Sequence, residues 1–506
     1  MPGCAAISGL AVKQANLELI ISAVVNINMI TRRSFLKGAA ASAAFPLFTI
    51  AGTKSSGRVL GANDVIRVGV AGINGQGNAH IDQYLGLKNV QVTHLIDPDR
   101  SLFESRSQKI REKGGNTPKC FQDIRLALED KELDAISIAA PNHWHSLLTI
   151  WACQAGKDVY VEKPLSHNIW EGRQAVGAAR KYGRLVQHGT QQRSSESRAN
   201  EIAAVQSGKY GQLRVSKGYC CKPRWSIGRK ETAPPPSDLA FDLWLGPAPA
   251  QPYHGNLVHY NWHWFWDFGN GDIGNQGVHE LDVARWAIKG ATLPTKVWSL
   301  GGRFAYEDQG QAPNTQMAVY EYGDVLLVFE VRGLVDKHPD FKFKVLNEYY
   351  TTEGMIANGK FYPRNGGTPE PLARFDVKVT PGGAWGSFLQ AVRSRRVEDL
   401  NADVEHGHYS SALCHLANIS YRLGEKVSFD HKFRVLSDSR EVTQTFENVR
   451  GNLEAVGVNL AETKCQLGRV LKVDPRSERF IGENSREANV LLTRNYRKPF
   501  VVPKIA

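Results

Sequence analysis

Ile66-Arg67-Val68-Gly69-Val70-Ala71, then Gly72-Ile73-Asn74-Gly75-Gln76-Gly77, and later Asp97 at the close of the apolar run Val90 to Ile96, decide how this chain is read. The first run has a buried strand's composition, the second is a glycine turn, and the residues to about Leu87 predict a helix before the strand Val90 to Ile96. Strand, turn, helix, strand and acid in that order are a dinucleotide-binding arrangement. Gly72, Gly75 and Gly77 let backbone approach a pyrophosphate, with Asn74 and Gln76 completing the turn. The helix N-terminus offers unpaired N–H groups, and Asp97 accepts from a ribose hydroxyl. Asn74 stands where a middle glycine is usual, so the turn is expected to keep its permissive residue one step later, at Gly75.

The 506 residues exceed one compact core, so at least two domains are expected. A hydrophobic content of 42% with 22% charged residues is that of a soluble globular protein. The net charge of +12 comes with no long Lys/Arg block and no nucleic-acid motif, so the basic surface reads as solvated and no nucleic-acid partner is expected. The seven cysteines show no metal-type spacing, and the i,i+2 pairs His143/His145 and His406/His408 point apart on a helix; no metal is expected. Cys220 and Cys221 read as thiols on opposite faces of a strand.

Residues 1–60 read as a leader. Thr31-Arg32-Arg33-Ser34-Phe35-Leu36-Lys37 before a mild Ala-rich run to Ile50 looks like a Tat export signal, with Met29 as an alternative start. That run is shorter than the ~20 residues of a spanning helix, so an exported or periplasmic protein without an integral membrane segment is expected. An exported dinucleotide enzyme meets no soluble nicotinamide pool. It should hold its cofactor tightly, and either restore it within each turnover or recharge it with a second substrate.

Residues 61–188 form the first domain. Helices are expected over Leu102 to Lys113, after Asp123, over Ser146 to Ala155 and over Glu171 to Tyr182; strands over Ala135 to Ala139, Val159 to Val161 and Leu185 to Gln187. The alternation predicts a doubly wound parallel Rossmann sheet, with ligands at the strands' carboxyl ends, where Asp97, Asn142 and Lys163 lie. Residues 189–434 predict an α+β domain with an open, mostly antiparallel sheet. The proline-rich passage Ala233 to Pro249 reads as an ordered surface excursion. In the aromatic stretch after His259, Trp262 and Trp264 suit a sugar's C–H faces, whereas Trp266 and Trp286 suit a core. Residues 435–506 are expected to pack back on the body or on a second subunit, and a homo-oligomer is expected.

Glu162-Lys163-Pro164, preceded by Pro141-Asn142-His143 and the glycine turn, resembles the glucose-fructose oxidoreductase, inositol dehydrogenase and rhizopine-catabolism (Gfo/Idh/MocA) family, over Ile66 to about Gly424. The resemblance implies that Lys163 reaches both nicotinamide ribose and substrate hydroxyl, beside a cis peptide before Pro164. It implies cofactor contacts from Pro141, Asn142, His145, Glu162 and Gln191, and a substrate contact from Arg193, which equally suits an interface salt bridge. It places the general base at His279. The family's sugar-alcohol dehydrogenases carry Asp four residues earlier; here that residue is Asn275, counted among the substrate-binding candidates, and His263 or Asp282 is the candidate substitute.

Three functions are open on this reading. The first is an oxidoreductase acting on a secondary hydroxyl of a sugar, using NAD by virtue of Asp97, with NADP kept open by Arg100. The second is a redox-neutral glycosidase or lyase, as in the family's NAD-dependent α-N-acetylgalactosaminidases, which oxidise, eliminate, hydrate and reduce. The third is a non-catalytic sugar- or NAD-binding protein.

Overall fold

The structure, a computed structural model, describes residues 64–429, 436 and 439–505; the twin-arginine leader lies outside them. The chain begins β1 (Ile66–Ala71), α1 (Gly75–Leu85), β2 (Val90–Ile96), α2 (Phe103–Gly114), β3 (Lys119–Phe121), α3 (Ile124–Leu128), β4 (Ala135–Ile138), α4 (Asn142–Gln154), β5 (Asp158–Val161), α5 (Ile169–Lys181) and β6 (Val186–His188). Every side chain of β4 and β5 is buried, as expected of parallel strands covered by helices on both faces. The strands run parallel in the order β3-β2-β1-β4-β5-β6. The winding reverses between β1 and β4, and a crevice opens there at the strands' carboxyl ends.

The second lobe holds α6 (Glu196–Gln206), β7 (Leu213–Cys221), α7 (Phe241–Leu245), α8 (Gly271–Asn275) and α9 (Gly277–Ala287). Next come β8 (Lys296–Gly302), β9 (Thr315–Tyr322), β10 (Val325–Arg332), β11 (Lys344–Thr351), β12 (Gly354–Ala357), β13 (Lys360–Pro363) and β14 (Glu370–Pro371). After α10 (Gly383–Ser394), α11 (Val404–Arg422), β15 (Glu425–Ser428) and α12 (Arg440–Ala455), the chain adds β16 (Lys464–Leu467), β17 (Leu471–Asp474), β18 (Arg479–Ile481) and α13 (Ser485–Val490). Among the described residues, β7 to β18 form one open sheet; β7 and β10 pair in parallel and the other pairs are antiparallel. Cys220 and Cys221 face opposite sides of β7 into separate apolar clusters.

Two helices begin a turn or more earlier than the pattern suggests. Pro141 (φ −60°, ψ 153°) leads straight into α4, and Trp144 N–H donates to its carbonyl at 2.9 Å, so His143 and His145 lie inside the helix. Asp403 caps α11 by accepting from Glu405 N–H at 3.1 Å, which moves its start ahead of Ser411, where the sequence pattern predicts a helix from Ser411 to Leu423.

Residues beyond 188 also return to the first lobe. Phe388, Leu389 and Val392 of α10 pack with Ile66, Val68 and Val70 of β1, and Trp385 stacks on Tyr160 at 5.4 Å. The chain's last stretch also returns: Phe500 meets Trp144 of α4 edge-on at 5.4 Å, and Glu478 pairs with Arg173 of α5 and with His408. No helix among the described residues is long and apolar enough to cross a membrane. Phe500 is 2% exposed, so Phe500→Ala is expected to destabilise the fold by about 3–5 kcal/mol, seen as a lower urea midpoint.

Candidate active site

The crevice is a cleft of about 460 Å³ lined by both lobes. Its floor is the turn from β1 to α1. Gly72 has φ +80°, and a Cβ there would stand 2.6 Å from Ala140 N; a Cβ on Gly77 would stand 1.6 Å from Gly72 O. Gly75 is already helical and a Cβ there would meet nothing within 4 Å, so the left-handed residue is Gly72, and Gly75 contributes bare surface instead of backbone freedom. Asn74 offers α1 no side-chain cap and no acid sits in its first turn, which leaves these N–H groups available to a ligand. Asn142 is 2% exposed, lines the cleft, and its Nδ2 has no partner. His145 spans the Ala140 and Pro164 carbonyls with its two ring nitrogens, 2.6 Å from each.

Asp97 accepts from Ile73 N–H (2.8 Å) and Asp99 N–H (2.9 Å), so it fixes the glycine turn as well as facing the cleft. Burial pushes its carboxyl up to about 6, outweighing the two donors.

Glu162 and Lys163 follow β5 directly, and the peptide before Pro164 is cis. Glu162 Oε1 accepts from Gln76 Nε2 (3.3 Å) and Gln191 Nε2 (3.2 Å) and lies 3.2 Å from His80 Nε2. His80 continues through Ser137 Oγ (2.9 Å) to the Tyr84 hydroxyl, a buried relay beneath the floor. Burial opposes ionisation of Glu162, but the His80 hydrogen bond and the neighbouring charges, Lys163 among them, hold its pKa down to about 2. His80 escaped the sequence reading. Its signal was the i,i+4 pair Gln76/His80, which puts two polar side chains on the inward face of a helix.

Lys163 Nζ donates to the Asn275 carbonyl across the lobes at 2.7 Å. His279, half-buried in the first turn of α9, has its pKa lowered to about 4 by burial and then by Lys163, so it is neutral at pH 7. Asn275, Gln276 and Trp262 line the cleft. Other expected residues stand elsewhere. Trp264 is 2% exposed in an aromatic cluster with Phe265 and Phe268, with Arg303 4.7 Å from its ring centroid, because its 3-10 turn aims it inward. His263 is 1% exposed and Nδ1 contacts the Tyr260 carbonyl at 2.8 Å, so it is packed behind the cleft wall. Arg193 grips Asp282 (2.8 and 2.9 Å) and stacks on Trp286, the ion-pair alternative.

The proline-rich excursion is exposed over residues 233–237, as a surface passage should be, and from Asp238 it docks beyond the end of β2. Leu239 bridges Asp99, Ala240 N–H donates to Pro98 O (2.9 Å), and Arg100 Nε donates to Asp238 Oδ1 (2.6 Å). His259 Nε2 stands 3.0 Å from Asp99 Oδ2. This strap lends Leu243 and Trp244 to the cleft's lining and occupies Arg100.

Two family models match the chain: "Oxidoreductase family, NAD-binding Rossmann fold" over residues 66–190, and "Oxidoreductase family, C-terminal alpha/beta domain" over 205–455. A glycosyl hydrolase family 109 protein of Shewanella pealeana is 24% identical over 217 residues, 39% of this chain and 48% of its own length. A myo-inositol 2-dehydrogenase of Thermotoga maritima is 27% identical over 173 residues, 34% of this chain and 48% of its own. The chain thus spans about half the length of these curated relatives. The crystal structure of the WlbA dehydrogenase from Bordetella pertussis, in complex with NADH and UDP-GlcNAcA, shares the fold: TM-score 0.52, 16% identity, 70% of this chain and 96% of that one.

Glu162 yields a pH prediction. Its folded pKa lies below the ordinary 4.5, so its contribution to stability is full above that value and is lost as pH falls toward 2. The contribution is on the order of 3 kcal/mol. Urea unfolding between about pH 3 and pH 7 should show a shallower acid decline in Glu162→Gln than in the wild type.

Proposed function

The chain belongs to the Gfo/Idh/MocA oxidoreductase family, with an NAD-binding Rossmann domain, and from that premise we propose that it oxidises or reduces a secondary hydroxyl of a sugar or sugar derivative. The observation that carries the reading is the bond from Lys163 of the first lobe to the Asn275 carbonyl of the second, with Asn275 and Gln276 in the cleft's lining and His279 three residues further on.

The cradle fits the dinucleotide. Gly72, Asn74, Gly75 and Gln76 would hold the pyrophosphate at α1's open N-terminus, Asp97 the adenosine ribose, and the unpartnered Asn142 amide the nicotinamide end, with His145 and Glu162 fixing the walls. The bound nicotinamide supplies the hydride acceptor or donor. Lys163 donates to the substrate oxygen and lowers the free energy of the alkoxide as charge develops there. His279 is unprotonated at neutral pH and accepts the hydroxyl proton, as a weaker base than an ordinary imidazole. Glu162 stays ionised and holds Gln76 and Gln191 against the floor. NAD is favoured over NADP because Asp97, Asp99 and Asp238 gather at the ribose end, with Arg100 already paired to Asp238.

A second reading, the redox-neutral glycosidase, is favoured by the strap: an adenosine end tied down by Asp238, Leu239 and His259 resists cofactor exchange between turnovers. Asn275 in place of a carboxylate near His279 points the same way. Export through the twin-arginine leader belongs to the same proposal. Replacing both Arg32 and Arg33 with Lys should leave the protein in the cytoplasm on cell fractionation.

Absorbance near ~340 nm after adding sugars and aryl glycosides separates the two readings. Net cofactor reduction supports the first, and aglycone release without it supports the second. Lys163→Ala should lose at least about 10²–10³-fold in kcat while circular dichroism and the NAD-over-NADP binding preference persist. Wild-type turnover in that variant would remove Lys163 from the mechanism.

A further inference from the structure

β7 runs through the middle of the second sheet and delivers two cations to the cleft as it ends. Lys222 N–H donates to Arg332 O (3.1 Å) and Arg224 N–H to Gly333 O (2.7 Å), so the strand beside them fixes where both side chains start. Both line the cleft, yet their charges are balanced differently. Arg224 Nε donates to Asp272 Oδ1 at 3.0 Å, Asp272 is 1% exposed, and a second nitrogen reaches the Tyr260 hydroxyl at 3.3 Å. Lys222 Nζ reaches Gln276 Oε1 at 3.3 Å, and among the described residues it has no carboxylate at ion-pair distance.

The acids nearby are already committed. Glu162 is held by His80 and lies beside Lys163, Asp272 answers Arg224, and Asp282 answers Arg193 and Arg285. Glu280 accepts from Gln192 Nε2 at 3.2 Å, and burial raises its pKa to about 8, which leaves it neutral at pH 7. The second lobe therefore presents a half-buried ammonium with no counter-charge, and such a group gains most from an anion brought by a ligand.

The dinucleotide's pyrophosphate does not answer that need, because its cradle is the N-terminus of α1 on the opposite lobe. Lys222 instead adjoins Gln276, next in sequence to the carbonyl that holds Lys163. We propose that Lys222 pairs with an anionic substituent of the substrate, so that the preferred substrates are acidic sugars, with Lys163 taking the reacting hydroxyl and Lys222 the charge. This inference rests on the function proposed above and names the substrate class of that same site. The anion's orientation fixes which hydroxyl faces Lys163, so Lys222 acts on regiochemistry as well as affinity.

The test is calorimetric titration of the NAD-loaded, full-length protein with D-glucuronate, D-glucose 6-phosphate and neutral D-glucose. At least one acidic sugar should bind about tenfold more tightly than glucose, and the advantage should shrink as salt is raised. The arm that wins tells carboxylate from phosphate. Lys222→Gln should erase the preference, Lys222→Arg should keep most of it, and NAD affinity should not change in either. Glucose binding as well as both acidic sugars, or an acid preference surviving in Lys222→Gln, overturns the inference and leaves the oxidoreductase reading standing. A protein that binds NAD but none of the three sugars overturns both.

Discussion

One buried carboxylate decides how this cleft is built. Glu162 follows β5 with a single oxygen facing three donors from two parts of the chain: Gln76 and His80 of the first helix, and Gln191 in the segment that crosses to the second lobe. Removing an ionised carboxylate from water is costly, and only such a set of donors makes it tolerable. The glycine helix, the Lys163 turn and the crossing segment must therefore be in register together. The donors fix the acid, and the acid in turn fixes the backbone from which Lys163 projects.

The lobes are joined by more than that crossing. Lys163 reaches a carbonyl of the second lobe, α10 returns to pack on β1, and the strap ties itself to the end of β2. A floor from one lobe and a wall from the other can then keep their spacing without a hinge between them. The wall brings cations and aromatic rings, and the floor brings bare backbone and an unpartnered amide. That division suits a dinucleotide lying on the floor with a polar substrate against the wall.

The parallel sheet was legible because its signals are local. Apolar runs, glycines and a closing acid place β1, α1 and β2 to within two residues, and Val90–Ile96 is found where it was expected. The pattern starts α4 at Ser146, four residues late, whereas the extended geometry of Pro141 is already a proper entry to the helix. Choosing between Trp262 and Trp264 was beyond the sequence: they sit two apart in a 3-10 turn, and only packing against Phe268 decides which faces inward. Arg193 found its partner 89 residues away, and Lys222 stood out only once its neighbours' charges had been paired in space. Long-range pairing of this kind leaves no periodic trace.

The packing of Phe500 on Trp144 also bears on how the molecule is made. Trp144 belongs to the helix whose first turn lines the cleft, and the residue that braces it is synthesised long after. The glycines of the nucleotide turn thus precede by more than four hundred residues the ring that packs behind the cleft wall, so that contact forms only once Phe500 has been added.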